Sequence, residues 1–146
     1  MPTVVDDATL LAILTGRATP GLLDATAAGG IVTTGSWYYR LHRALHDPES
    51  SGSLSAVVAN LSPADRDDLF ISLDDLPAEI LVPGPRLLVP VMGALRLRRR
   101  VNHLMAEAVA AAMVSGGTLR VSAEAPLLRS ASDELGITMD VRSPFV

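Results

Sequence analysis

Three carboxylates, Asp6, Glu107 and Glu124, stand where an acidic side chain needs a reason. Asp6 closes a short β-branched run at residues 3–6, and Glu124 follows a second strand-like run at residues 118–122. Carboxylates gathered at one edge of a sheet can hold Mg²⁺ or Mn²⁺ through hard oxygen ligands and orient a water for phosphodiester cleavage. Glu107 is the only acid in the apolar stretch 101–117, so its charge requires water, a partner or a metal ion. His103 lies one helical turn before it. Each has a plainer reading. Asp6 or Asp7 caps the helix that follows, Glu124 is a solvated turn residue ahead of Pro126, and His103 with Glu107 is a hydrogen-bonded pair facing the surface.

Arginine supplies the second chemistry. All twelve basic residues are arginines, and Arg96, Arg98, Arg99 and Arg100 fall together. Their spacing spreads around a helix, so their stems can cover apolar surface while the guanidinium groups face the phosphates of RNA or an acidic partner segment. Arg40 and Arg43 follow Trp37-Tyr38-Tyr39, which holds three of the five aromatic residues. That run suits either a platform on which bases stack or ordinary core packing, Trp37 sharing a helix side with Leu41. A net charge of -4 argues against a generally basic nucleic-acid binder.

Other chemistries are poorly served. There is no cysteine, which removes thiolate nucleophiles, disulfides and cysteine-rich zinc sites. Gly29-Gly30 and Gly116-Gly117 end helical patterns instead of opening them, so neither forms a phosphate loop. Ser36, in Thr34-Gly35-Ser36-Trp37, lacks the second glycine of a nucleophile elbow.

The elements that position these residues follow from periodicity and punctuation. Strands are expected at residues 3–6, 31–33, 87–89, 118–122 and 137–141. Between them, Asp7 is placed to cap a first helix, Thr19-Pro20 opens a second, and a third runs from Ser36 to about His46. Residues 49–53 read as a loop and 54–61 as ambiguous between helix and strand. Ser62-Pro63 starts another helix, a long helical region covers about 91–115, and a last helix opens at Pro126. Strands alternating with helices predict an α/β fold of three layers, a mainly parallel sheet of four to five strands flanked by helices. In such sheets the functional crevice lies beyond the carboxyl ends of the strands, where Asp6 and Glu124 would arrive.

The chain's 146 residues suit one domain over 1–146, and 49% hydrophobic residues with a mean hydropathy of +0.34 disfavour disorder. No membrane span is expected, because each long apolar stretch is broken by arginine, proline or Glu107. Asp6 and Asp7 stand where a secretory signal would carry basic residues, so a cytoplasmic location is expected.

The opening Val4-Val5-Asp6-Asp7-Ala8-Thr9-Leu10-Leu11, with Ala106-Glu107-Ala108 and Val121-Ser122-Ala123-Glu124-Ala125-Pro126, resembles the PIN domain family in order and spacing over nearly the whole chain. The resemblance implies a parallel sheet flanked by helices, frequent homodimers, and in many members a Mg²⁺- or Mn²⁺-dependent ribonuclease, including toxins held by small antitoxin proteins. It places Asp6 at the first-strand aspartate, Glu107 (or, in another register, Asn102) at the helical acid, and Glu124 at the acid after the fourth strand. The remaining acid of the family pattern is missing. No carboxylate occurs from Ala25 through Leu45, and Arg40 stands about where it should be. A cation there repels a metal ion, so the resemblance points either to a nuclease with an altered site or to a non-catalytic module that binds a partner or a second copy. Arg40 is then expected to pair with Asp6 or Glu107.

Overall fold

Five short strands pair in parallel throughout: β1 (Thr3–Val5), β2 (Ile31–Val32), β3 (Ile80–Leu81), β4 (Thr118–Val121) and β5 (Met139–Val141). They belong to a computed structural model that describes residues 1–47 and 52–145. Across the sheet the order is β3-β2-β1-β4-β5, which puts β1 at the centre and makes every connection a crossover. The described helices are α1 (Asp7–Leu14), α2 (Pro20–Ala27), α3 (Gly35–His46), α4 (Ser53–Ala59), α5 (Pro63–Asp74), α6 (Pro85–Arg98), α7 (His103–Ser115) and α8 (Pro126–Glu134). The three-layer α/β arrangement is the one that alternating strand and helix patterns dictate.

Side chains alternate along each strand and so feed two separate cores. Val4, Val32, Leu119 and Val121 join α6, α7 and α8 on one face, and Val5 and Ile31 join α1, α2 and α5 on the other. Helix α3 serves both, since Trp37 packs into the first core while Leu41, Ala44 and Leu45 pack into the second. Trp37 is therefore packing, whereas Tyr39 is exposed. Caps fix where helices begin: Asp6, Thr34, Ser62 and Asn102 each accept a backbone N–H from the first turn of α1, α3, α5 and α7.

Several expectations are corrected. Asp6, not Asp7, caps the first helix, and Asp7 becomes its first helical residue. The strand expected at residues 87–89 lies inside α6, and the third strand is instead the two-residue β3, too short to show any alternation. Pro85 occupies the first turn of α6, where its missing N–H is harmless, and Pro90 lies inside the helix. The long helical region is two helices, divided where Arg99 turns extended and Asn102 caps α7. Residues 54–61 are largely helical, as α4, while most of the expected loop at 49–53 lies outside the described residues. No helix among the described residues is long and apolar enough to cross a membrane.

Gly117 marks a close approach. A Cβ there would stand 2.9 Å from the carbonyl carbon of Pro2 and closer still to its oxygen, which accepts the N–H of Thr118. Gly117→Ala must displace backbone at the entry to β1 and β4, so it is expected to cost about 2 kcal/mol in urea denaturation. An unchanged midpoint would mean that this junction yields freely.

Candidate functional site

Asp6 leaves the carboxyl end of β1 and its side chain is almost wholly buried. One oxygen, Oδ1, accepts the N–H of Thr9 at 3.0 Å and so caps α1. The other, Oδ2, accepts both the N–H and the Oγ–H of Ser122 at 2.7 Å. Asp6 thus ties the start of α1 to the end of β4. Sequence reasoning missed Ser122, whose only signal was its place at the end of the expected strand, two residues before Glu124.

Glu107 projects from α7 into a comparable arrangement. Its Oε1 accepts the Ser36 N–H at 3.0 Å, and its Oε2 accepts the Ser36 Oγ–H at 2.6 Å. His103 Nε2 lies 3.2 Å from the same Oε2, with its ring largely in solvent. Ser36 is in the first turn of α3, so the buried carboxylate closes the N-terminus of a neighbouring helix, where the macrodipole favours negative charge. Burial of Glu107 is answered by a helix end and a hydroxyl. The order Ser36–Glu107–His103 is not that of a serine hydrolase, because the acid holds the hydroxyl and the imidazole holds only the acid.

Glu124 goes elsewhere. It is half exposed on the loop before α8 and grips Arg129 through Nε at 2.6 Å and Nη2 at 2.9 Å. That hydrogen-bonded guanidinium holds the Glu124 carboxyl below its usual range. Arg129 Nη1 also reaches the Met139 carbonyl at 3.2 Å, so the pair fastens α8 to β5.

Arg40 pairs neither with Asp6 nor with Glu107. Its Nε stands 3.3 Å from Asp7 Oδ2, yet that oxygen accepts no hydrogen bond, so the contact is electrostatic and poorly aimed. The arginine side chain is 54% exposed and its attraction is correspondingly screened. Burial pushes the Asp7 carboxyl above its ordinary value of 3.8, and neighbouring Asp6 adds to the rise, with Arg40 only partly opposing it. A raised carboxyl favours its neutral form in the folded protein, so its ionisation destabilises the fold as pH rises from 3.8 through the folded pKa. Asp7→Asn is therefore expected to be more stable than the parent at neutral pH, with the gap narrowing as pH falls. Urea midpoints between about pH 4 and pH 7 test this, and a difference independent of pH would sink it.

Arg40 also borders two cavities. One, of about 710 Å³, has an apolar wall that includes Leu88 and Met92, and reaches Ser36, His103 and Glu107. The other, of about 760 Å³, is more polar and is lined by Asp7, Arg43 and Ser122 among others. Arg96, Arg98 and Arg100 are exposed on and just beyond the end of α6, while Arg99 is half-buried against Glu134 of α8.

No family model and no curated protein matches the sequence. The PIN resemblance rests on the three segments that carry it.

Asp6, Glu107 and Glu124 are each engaged by donors of the protein itself. Among the described residues, no three His, Asp or Glu side chains are grouped so as to hold a metal ion. The Asp6 carboxylate accepts three N–H and O–H donors, Glu124 is on Arg129, and neighbouring Asp7 faces a guanidinium. What the arrangement does chemically is join elements: β1 to β4, α3 to α7, and α8 to β5.

Proposed function

We propose that the chain is a PIN-like binding module that does not carry out metal-dependent RNA cleavage, and that it engages an acidic partner through the arginine-rich surface of α6. The commitment of both Asp6 oxygens to backbone and hydroxyl donors carries this reading. Three N–H and O–H donors already hold the Asp6 carboxylate, which leaves it one lone pair at most for Mg²⁺ or Mn²⁺ and makes it a brace between elements. Arg40 beside Asp7 adds the wrong charge to the same edge.

A metal present at a hundred times its Kd stabilises its site by about 2.7 kcal/mol, several degrees in Tm for a domain of this size. Excess Mn²⁺ is expected to leave Tm unchanged, and RNA incubated with Mn²⁺ is expected to be cut no faster than with EDTA. A Mn²⁺-dependent rise in Tm together with EDTA-sensitive cleavage would restore the nuclease reading.

A further inference from the structure

Charge is strongly segregated along and across this fold. Residues 80–106 hold five arginines, Arg86, Arg96, Arg98, Arg99 and Arg100, and no Asp or Glu. Residues 65–79 hold Asp65, Asp67, Asp68, Asp74, Asp75 and Glu79 against the single Arg66. The two segments lie on opposite sides of the sheet, since α6 buries Leu88, Met92 and Leu95 in one core and α5 buries Leu69 and Leu73 in the other.

Each helix leaves an ordered outer face. On α6 the exposed residues Leu87, Pro90, Ala94 and Leu97 recur at helical spacing as an apolar stripe flanked by Arg86 and Arg98, with Arg96 exposed farther round the helix. Leu97 is 89% exposed. On α5 the exposed residues Ala64, Asp67, Asp68, Ile71 and Asp74 form the complementary pattern, with Ile71, 69% exposed, set among aspartates. The helices have 14 and 12 residues, about 21 and 18 Å, so one can lie along the other for most of its length.

From this we infer that the occupant of the α6 face is the α5 face of a second copy of the chain, in a head-to-tail contact that leaves an α5 face and an α6 face free at the two ends. A two-fold contact of α6 with α6 would oppose the exposed Arg96 and Arg98 to arginines of the other copy, and α5 with α5 would oppose aspartates. Only the heterologous pairing brings unlike charges together around an apolar centre. The inference rests on reading the chain as a binding module and names its partner.

Two variants on exposed positions test it without touching either core. Leu97→Glu with Arg98→Glu blocks the α6 face, and Asp67→Lys with Asp68→Lys blocks the α5 face. In sedimentation velocity at low ionic strength and about 0.1 mM protein, the parent is expected to form a concentration-dependent series of oligomers that shrinks as salt is added. Each variant alone is expected to lose that series, and a mixture of the two to associate again, because each supplies the intact face that the other lacks. A monomeric parent, a closed two-fold dimer that either variant leaves intact, or two variants that fail to pair would each overturn the inference. Retention of single-stranded RNA by a monomeric parent, abolished by Leu97→Glu with Arg98→Glu, would overturn it too and give the α6 face to phosphate. The module reading fails separately, by Mn²⁺-dependent cleavage, whatever the state of assembly.

Discussion

Asp6→Ala is expected to unfold with about 3 kcal/mol less free energy than the parent, the largest loss from any single acid in this chain. Losing the cap on α1 costs about 1 kcal/mol, and leaving the Ser122 N–H and hydroxyl without their acceptor adds roughly another 2 kcal/mol. Urea denaturation with an unchanged m-value would read the loss directly. Asp6→Asn separates the parts: one amide oxygen can still accept from Thr9, but the amide nitrogen then meets the Ser122 N–H donor to donor. About half the loss should remain. A carboxylate kept only to bind a metal gives the opposite sign, because its removal would relieve repulsion from the adjacent Asp7. A more stable Asp6→Ala would therefore argue for the nuclease.

Glu107→Ala is expected to cost nearly as much, also about 3 kcal/mol, for a different reason. The side chain is buried, and its loss leaves the Ser36 N–H and hydroxyl without their acceptor at the start of α3 while enlarging the cavity that Glu107 already lines. Ser36→Ala should cost about 1.5 kcal/mol, and the double variant should cost less than the two losses added together, since either change breaks the same contact. Strict additivity in that cycle would show that Glu107 is held by something other than Ser36.

Both acids were visible in the sequence as oddities, but not as what they are. Glu107 was conspicuous as a lone charge in an apolar helix, and burial does demand a partner for it. That partner, Ser36, is 71 residues away and joins it only because the fold packs α3 against α7. No local pattern encodes such a contact. Asp6 and Asp7 both have the chemistry of a cap, and backbone geometry decides between them: the extended residue is Asp6. Glu124 looked like a third ligand because it follows β4, yet Arg129, five residues on, was the nearer claimant. The layered α/β fold was legible because strand and helix patterns alternate. The error at residues 87–89 arose where Pro83, Pro85 and Pro90 crowd an aliphatic run, a pattern that reads as a broken strand but is compatible with a helix starting at the second proline.

Helix α3 has a mechanical consequence. Because Trp37 is anchored in one core and Leu41, Ala44 and Leu45 in the other, neither layer can melt without tearing a hydrophobic anchor from the helix they share. The two cores are therefore expected to unfold together, as one transition in urea.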